Sequence, residues 1–487
     1  MDLLTLNINE TLELLESKKI SAYELNKFYL DRIQKFDIQL DSFLALNENA
    51  LNEAKLIDEK RMKGENLPKY AGIPIALKDN IITKDLYTTC SSKILENFNP
   101  PYDSTVSNLL KENGFIILGK VNMDEFAMGS STETSYYKKT KNPWDLERVP
   151  GGSSGGAAVC VAAGLAPISL GSDTGGSIRQ PAALCGVCGF KPTYGLVSRY
   201  GLVAFASSLD QIGPFSRDIE DSAHLLNVVG KYDCKDSTSI KIEEKDYTKD
   251  INNDIRGKKI GIPKEYFEGG IDSDVLKCVS DAIDFYKSQG AEIVEVSMPH
   301  TEYAIAVYYI IATAEASSNL ARYDGVRYTF RSEADNLIDM YELTRSKGFG
   351  KEVKRRIMLG TYVLSAGYYD AYYLKAQKVR SLIKKDFISA FEKVDVLLAP
   401  TVPNTAFKFG EKINDPVSMY LSDIFTISLN LFGGCGVSIP CGFDGKGLPI
   451  GFQLLGNYFE EEKVINFAKI YQNNTDWHKR LPENFKK

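Results

Sequence analysis

Two glycine-serine turns, separated by a short apolar run, constrain this chain more than any other feature of its sequence. The first reads Gly-Gly-Ser-Ser-Gly-Gly over residues 151–156, and the second reads Asp-Thr-Gly-Gly-Ser-Ile-Arg over residues 173–179. Glycine residues on both sides of a serine let the backbone turn sharply and approach a ligand closely. Serine is then the reactive group at each turn, so the pattern is hard to explain as packing alone.

A serine hydroxyl is a poor nucleophile unless a base removes its proton. Histidine is the usual base, but the chain has only three histidine residues, His224, His300 and His478. None of them lies within 40 residues of Ser153 or Ser177 in the sequence. If the chain is a serine enzyme, the sequence therefore predicts a base of another kind.

Lys78 is the candidate for that base. A lysine can replace histidine when burial makes its amine neutral near pH 7. Lys78 follows the apolar run Ile-Pro-Ile-Ala-Leu of residues 73–77, so its side chain begins inside the core, and Asp79 and Asn80 offer polar contacts. The alternative is a lysine at the end of a strand that reaches solvent.

The composition excludes several classes of protein. With 487 residues, 44% of them hydrophobic and 25% charged, the chain has room for one large domain or two to three ordinary ones. The net charge of −6 argues against a broad nucleic-acid footprint, although a partner of the chain could bind one. No apolar run has the length of a membrane helix, and the N-terminus lacks a secretory pattern, so we expect a cytoplasmic protein.

Eight cysteine residues are scattered along the chain. Cys185 and Cys188 form a lone Cys-x-x-Cys pair, which can mark a zinc or redox site. No second pair accompanies it, and no histidine lies within 30 residues of it. Small buried residues are the interpretation that we favour, and we expect no metal in this chain.

The order of patterns along the chain predicts an α/β fold. Residues 1–65 have a helical pattern, with a capping box at Ser21 to Glu24 and a second amphipathic helix predicted from Phe43 to Arg61. Short apolar runs then alternate with helical stretches, among which we expect a helix at 272–289, a strand at 292–296, a long helical region at 303–391 interrupted near Gly325 and Gly348, and a last helix at 460–471. A polar segment opens an excursion at 232–300, and one domain over 1–487 fits better than two.

The block from residue 150 to residue 192 resembles the signature of the amidase signature family, whose mark is a Gly/Ser-rich stretch closed by Gly-Gly-Ser-Ile-Arg. The resemblance implies a Ser–cis-Ser–Lys triad, with Ser177 as nucleophile, Ser153 as bridging serine and Lys78 as base. It also implies a cis peptide bond between Gly152 and Ser153. The fold that it implies is a single large α/β domain with a mixed central β-sheet covered by helices on both faces.

The family resemblance also implies a mechanism. Neutral Lys78 accepts a proton from Ser153, which accepts one from Ser177 as that serine attacks an amide carbon. The backbone N–H groups of three loop residues are expected to form the oxyanion hole: Thr174, Gly175 and Gly176. We expect Asp173 to hold this loop by hydrogen bonds and Arg179 to be structural.

Three further segments resemble one branch of the family, the glutaminase subunits of tRNA-dependent amidotransferases. They cover residues 122–135, 315–322 and 352–360. The resemblance predicts a glutamine-hydrolysing ligase component that makes ammonia for amidation of Glu-tRNA(Gln), Asp-tRNA(Asn) or both. A stand-alone amidase with a small amide substrate is the alternative enzyme, and a scaffold with a vestigial triad is the non-enzymatic alternative.

Glutamine is a zwitterion, so its pocket needs a cation for the carboxylate and an anion for the ammonium group. The resemblance assigns these roles to Arg356 and Asp423, with Tyr308 lining the pocket. Arg355 competes with Arg356 for the first role. The plainer alternative is that these residues are solvated charges on helix faces, and a fatty-amide pocket would be apolar throughout.

The resemblance further implies a heterotrimer with the B and C subunits of the amidotransferase. The B subunit would hold the misacylated tRNA and activate it with ATP and Mg²⁺, and the small C subunit would join the two larger chains. The sequence has no GxxxxGK[ST] phosphate-binding loop. We therefore expect no cofactor in this chain, with ATP and magnesium at the partner.

Overall fold

An eleven-stranded β-sheet runs through residues 2–486, the part of the chain that the computed structural model describes. Its order is β1-β3-β2-β4-β6-β5-β10-β11-β9-β7-β8. Four neighbouring pairs are parallel and six are antiparallel, so the sheet is mixed. The strands β1 to β11 are Phe43–Leu46, Pro74–Lys78, Ile116–Val121, Ser169–Asp173, Cys188–Lys191, Gln211–Ser216, Lys259–Pro263, Glu292–Val296, Val396–Pro400, Gly436–Phe443 and Pro449–Leu455.

Fifteen α-helices accompany the sheet within the same residues. None of them is both long and apolar enough to cross a lipid bilayer. The helices α1 to α15 are Ile8–Glu16, Ala22–Leu40, Ala50–Met62, Thr105–Glu112, Gly155–Ala162, Arg179–Cys185, Ile219–Val229, Ser273–Ser288, Ala304–Asn319, Leu337–Gly348, Lys351–Leu364, Lys375–Phe391, Pro416–Tyr420, Ile427–Phe432 and Glu461–Asn473.

The predicted α/β class and the mixed central sheet are confirmed. The capping box is also confirmed, because Ser21 Oγ accepts from Glu24 N and the Glu24 carboxylate accepts from Ser21 N. The predicted extents of the domain (1–487), the N-terminal helical segment (1–65) and the excursion (232–300) stay predictions. Residues 1 and 487 lie outside the described part.

The N-terminal part of one predicted helix is wrong. The segment Phe43 to Arg61 begins with strand β1 at the edge of the sheet, and its helix starts only at Ala50. The Asp37 carboxylate accepts hydrogen bonds from the N–H groups of Ser42 and Phe43, which ties this segment to the end of α2 in an extended form. Pairing with β3 then overrides the helical spacing of the apolar side chains.

The sheet brings the predicted catalytic segments to one edge. Strands β2 and β4 are parallel neighbours, and they end at Lys78 and Asp173. Strand β6 pairs antiparallel with β4 and starts there, just after Asp210. Open α/β sheets bind ligands outside the carboxyl ends of their parallel strands, so this edge is where a site is expected.

Helix α5 carries the first glycine-serine turn to that edge. All eight of its residues are buried. A Cβ at Gly156 would lie 2.5 Å from the Asn122 carbonyl oxygen, and one at Gly155 would lie 2.2 Å from Thr132 Oγ1. The two glycine residues therefore let the helix start in close contact with the segment after β3.

Candidate active site

Lys78 ends β2, and its amine lies among serine oxygen atoms. The nitrogen is 2.8 Å from Ser153 Oγ, 2.8 Å from Ser154 Oγ and 3.0 Å from Ser172 Oγ. The side chain is fully buried. The structure therefore joins the predicted base to the predicted bridging serine, and it adds two serine residues that the sequence reasoning did not assign.

Burial lowers the pKa of Lys78 to about 7, because an ammonium ion loses its hydration in the interior. The carboxylates of Asp124, Asp173 and Asp210 act in the opposite direction and favour the charged form. Near neutral pH a large share of the molecules thus holds Lys78 as a free amine. A free amine is the form that can accept a proton from a hydroxyl group.

The bond between Gly152 and Ser153 is cis, as predicted. The turn is held on both sides. Gly152 N–H donates to Gln180 Oε1 at 2.9 Å, and the Ser153 carbonyl accepts from Asp124 N at 3.1 Å. A Cβ at Gly152 would lie 2.0 Å from Asp124 Oδ2, so this position has room for glycine alone.

Ser177 lies in the loop between β4 and α6, and the residue is 8% exposed. Its carbonyl oxygen accepts a hydrogen bond from Ser154 N at 3.2 Å, which places it beside the first turn. Within residues 2–486 the Ser177 hydroxyl makes no hydrogen bond. The hydrogen bond between Ser177 Oγ and Ser153 Oγ that a proton relay requires is therefore not present in this structure.

Asp173 holds the second turn, as predicted. Its carboxylate accepts hydrogen bonds from Gly176 N at 2.8 Å and Ile178 N at 3.2 Å, and from Arg179 Nε at 3.2 Å. Burial opposes the ionisation of Asp173, but the buried Arg179 guanidinium keeps its pKa below the usual range. The pair fixes the loop around the predicted nucleophile, which also agrees with a structural role for Arg179.

The three predicted oxyanion donors differ in their surroundings. Gly176 N–H already donates to Asp173, whereas Thr174 is anchored by its side chain, whose hydroxyl donates to Asp210 Oδ1 at 2.6 Å. A Cβ at Gly175 would lie 2.7 Å from the Tyr308 ring. Tyr308, predicted to line the substrate pocket, therefore packs directly against this loop.

Asp423 offers an unused acceptor. One of its carboxylate oxygens accepts from the Ser130 hydroxyl, and the other is buried with no hydrogen-bond partner within residues 2–486. Burial raises the pKa of Asp423 to about 7. A buried acceptor without a partner is costly, and a ligand ammonium group would satisfy it.

Arg356 lies in α11 and is 3% exposed. Its Nε donates to Glu352 Oε1 at 2.9 Å. The rings of Phe205, Tyr309 and Tyr420 face its guanidinium, with centroids at 5.5, 5.2 and 5.7 Å. An aromatic enclosure of this kind stabilises a buried cation and keeps it fully charged.

Arg355, the competing arginine, is one-third exposed and pairs with the other side of Glu352. Both arginine side chains line a cavity of about 310 Å³ together with Ser130 and Glu352. Arg356, unlike Arg355, is among the charges that act on Asp423 and Tyr308. Arg356 is therefore the more deeply buried of the two arginine residues and the one whose charge acts on Asp423 and Tyr308.

The Cys-x-x-Cys pair is not a joint site. Both side chains are buried and free, with Cys185 Sγ 3.3 Å from the Pro150 carbonyl oxygen and Cys188 Sγ 3.2 Å from that of Arg217. They are small buried residues, as predicted. Across residues 2–486, no three His, Cys, Asp or Glu side chains are grouped so that they could hold a metal ion.

Comparison with known proteins agrees with this geometry. Residues 24–465 match the family model described as Amidase. The chain belongs to the amidase family. It is 60% identical over 485 residues to the A subunit of glutamyl-tRNA(Gln) amidotransferase from Carboxydothermus hydrogenoformans, covering 99% of this chain and all of the relative. The predicted resemblance is therefore confirmed.

Two further relatives of this chain are also A subunits of glutamyl-tRNA(Gln) amidotransferase. The A subunit of glutamyl-tRNA(Gln) amidotransferase from Gloeobacter violaceus is 59% identical over 468 residues, covering 96% of each chain. The crystal structure of the corresponding A subunit from Thermotoga maritima has a TM-score of 0.83 and 44% identity, covering 98% of this chain and 96% of that one.

Sequence reasoning missed several polar residues of this amidase site. Ser172 lies just before the second turn, and only the fold brings it to Lys78. The other missed residues carried a usable signal, because Asp124 and Ser130 lie in the segment 122–135, Glu352 lies in the segment 352–360 and Ser154 lies in the first turn.

Proposed function

We propose that this chain is the glutaminase subunit of a tRNA-dependent amidotransferase and that it supplies ammonia to a partner subunit. The contact that carries the proposal is the 2.8 Å hydrogen bond between the buried Lys78 amine and Ser153 Oγ. It supplies the base that a serine amidase without a nearby histidine needs. The identity of 60% to an amidotransferase A subunit over nearly the whole chain supports the choice of reaction.

In the proposed reaction, Ser177 Oγ attacks the side-chain amide carbon of glutamine while its proton passes to Ser153 and the Ser153 proton passes to Lys78. The C–N bond then breaks, the relay returns a proton to the leaving nitrogen, and ammonia departs. The product left behind is a γ-glutamyl ester on Ser177. Water, deprotonated by the same relay, cleaves the ester and releases glutamate.

We assign the oxyanion hole to the backbone N–H groups of Thr174, Gly175 and Gly176. The structure contributes the anchoring of this loop, because Asp210 holds the Thr174 hydroxyl and Asp173 holds the Gly176 N–H. Donors fixed in advance stabilise the developing negative charge without a cost of reorientation during the reaction. In the reacting complex, the Gly176 N–H group would donate to both the oxyanion and the Asp173 carboxylate.

We assign substrate recognition to Asp423 and Arg356. The unpartnered Asp423 oxygen would accept from the glutamine ammonium group, and the Arg356 guanidinium would bind the carboxylate. Tyr308 would form the wall between these groups and the reacting loop. An apolar amide has no group for either charge, so this pocket favours glutamine over the substrates of a fatty-acid or small-amide hydrolase.

The ammonia would be used elsewhere. We propose the B and C subunits of the amidotransferase as partners in a heterotrimer, with the B subunit binding the misacylated tRNA, ATP and Mg²⁺. The relatives are named for a glutamyl-tRNA(Gln) amidotransferase, which supports this assembly. The net charge of −6 suits a chain that reaches tRNA through a partner rather than directly.

Ammonia release from L-glutamine tests this function. It is measured for the chain alone, and then with the B and C subunits, ATP and misacylated tRNA. We expect strong stimulation by the partners and loss of all activity in Ser177→Ala. Fast hydrolysis of simple amides by the lone chain, with no use of glutamine, would instead identify a stand-alone amidase. Unchanged activity of the complex with Ser177→Ala would identify a scaffold.

A further inference from the structure

A cluster of exposed aromatic and aliphatic side chains covers the end of α11 and the segment that follows it. The residues from 365 to 372 are exposed without interruption, and none of the π-helical turn Tyr369–Leu374 is buried. Six large side chains of this cluster are between 40% and 69% exposed, and we call them the tyrosine surface: Met358, Leu359, Tyr362, Tyr368, Tyr369 and Tyr372.

Three of the four rings of the tyrosine surface are packed against one another. The ring centroids of Tyr362 and Tyr368 are 4.4 Å apart, and those of Tyr368 and Tyr372 are 6.0 Å apart. Tyr369 stacks on the neighbouring ring of Tyr373 at 5.3 Å. Contiguous apolar area of this kind is rare on a monomer surface and marks a contact site, whereas single exposed apolar residues are ordinary.

The charge around the tyrosine surface is opposite to that of the whole chain. Residues 345–385 contain eleven Lys and Arg and only two Asp and Glu, in a chain with a net charge of −6. Six exposed lysine residues in this range have no ion-pair partner within residues 2–486: Lys347, Lys351, Lys354, Lys375, Lys378 and Lys385. Charge complementarity therefore selects a partner whose surface carries carboxylates here.

The same helix connects this surface with the substrate pocket. Arg356 lies on α11 six residues before Tyr362, a rise of roughly 9 Å along the axis. The helix is held rigidly between them, because Gly360 packs so closely on α9 that a Cβ would lie 1.9 Å from the Thr313 carbonyl oxygen. A partner bound to the tyrosine surface would thus act on Arg356 through one rigid helix, α11.

We propose that the tyrosine surface is where the ammonia-receiving partner docks, through an apolar patch rimmed by carboxylates. The inference rests on the proposed function and names the contact site of its partner. A protein fits better than RNA for two reasons. Met358 and Leu359 are exposed aliphatic side chains that offer no face for base stacking, and Asp370 would repel a phosphate. Exposed Tyr and Met with lysine at the rim is the composition of a protein interface.

The test compares two double variants of the full chain. Tyr369→Ser/Tyr372→Ser removes two rings of the surface, and Tyr87→Ser/Tyr232→Ser removes two rings elsewhere that are at least as exposed. The dissociation constant of each variant for the purified B and C subunits is measured by sedimentation, and hydrolysis of a simple amide by the lone chain reports on the fold. We expect at least tenfold weaker binding for the first variant, wild-type binding for the second and unchanged amide hydrolysis for both.

The charged rim is tested by salt. Wild-type binding is expected to weaken as NaCl rises from roughly 50 to 500 mM, and Lys375→Gln/Lys378→Gln is expected to weaken binding at low salt and to flatten this dependence. Equal partner affinity in wild type and Tyr369→Ser/Tyr372→Ser would overturn the docking site while leaving the proposed function intact. Loss of tRNA binding by the lone variant chain, with the partner still bound, would show an RNA surface instead. A wild-type chain that binds neither of the two partners would overturn the proposed function and, with it, this inference.

Discussion

Lys78 is surrounded by hydroxyl groups, and this choice of neighbours decides its charge. A carboxylate in direct contact would hold the buried amine as an ammonium ion, which cannot act as a base. The structure keeps Asp124, Asp173 and Asp210 outside hydrogen-bond contact, and each of them is engaged by other donors. The carboxylates then raise the pKa of Lys78 only partly back towards its ordinary value, and burial dominates.

The pH dependence of glutamine hydrolysis follows from two groups. The pKa of Lys78 is lowered to about 7, and that of Asp423 is raised to about 7. Catalysis needs Lys78 deprotonated and recognition needs Asp423 ionised, so both requirements are met only as pH rises through 7. We predict that kcat/KM for glutamine rises with pH and levels off above about pH 8, with a slope on logarithmic axes that approaches two below about pH 6. A simple amide without an ammonium group should show a slope of one, and a flat profile for both substrates would contradict the assignment of Lys78.

Asp423→Asn should act on binding. The amide keeps the shape of the side chain but loses the charge that a substrate ammonium group requires, and a charge-assisted hydrogen bond contributes about 1.5–3 kcal/mol. We predict a roughly ten- to hundredfold higher KM for glutamine with a small change in kcat. Asp250→Asn, at an exposed position, is the control. An equal loss of kcat with unchanged KM would show that Asp423 has a different role.

At the scale of single residues, the sequence predicted a set of candidate reacting groups but not the residues that support them. Lys78, Ser153 and Ser177 lie in motifs that can be read one at a time. Ser172 contacts Lys78, which lies 94 positions away, and Glu352 contacts Arg356, four positions away. Both lie in segments that resemble the family, but no motif marks either contact. A contact made by folding is visible in a single sequence only when both partners belong to a known pattern.

Helix α11 carries Arg356, the proposed ligand of the substrate carboxylate, and Gly360 lets this helix pack closely on α9. Thr313 of α9 lies opposite Gly360 of α11, where its carbonyl oxygen fills the place of a side chain. The N-terminal end of α11 is held by the Glu125 carboxylate, which accepts from Gly350 N at 2.9 Å. A carboxylate at this end also suits the helix dipole. These two contacts fix the position of α11, and therefore of Arg356.

Gly360→Ala should therefore destabilise the fold. The added methyl group would have to displace a backbone carbonyl, and overpacking of this kind costs about 1–3 kcal/mol. Gly445→Ala is the matched control, because the nearest atom to its Cβ is 3.8 Å away. Urea unfolding of both variants gives the comparison. Equal free energies of unfolding for the two variants would show that α9 and α11 can separate without cost.

Elements with a strong pattern were predicted well. Strand β8 was predicted with its observed ends, and α8 and α15 to within two residues. Strand β1 was missed because its four residues gain their order from pairing with β3 and from the Asp37 carboxylate, neither of which has a periodic signal. The long helical stretch after residue 303 breaks near Gly325 and Gly348, as predicted, but the exposed π-helical turn inside it was not foreseen.

At the scale of the whole molecule, the chain is proposed to carry one half of a coupled reaction. Its sheet places the segments of the predicted triad and of the proposed oxyanion loop at one edge, and α11 joins the proposed substrate arginine, Arg356, to the tyrosine surface. The family resemblance predicted a mixed sheet, but the order of eleven strands could not be predicted, since strands that are far apart in sequence, such as β5 and β10, become neighbours.

The central claim is that Ser177 attacks glutamine with Lys78 as the ultimate base. Acid quenching of the chain during turnover, followed by peptide mass spectrometry, tests this directly. The account predicts a γ-glutamyl ester on the peptide that contains Ser177, formed far more slowly in Lys78→Ala and absent in Ser177→Ala. An ester on Ser153, a thioester on a cysteine, or an adduct that persists in Ser177→Ala would contradict it.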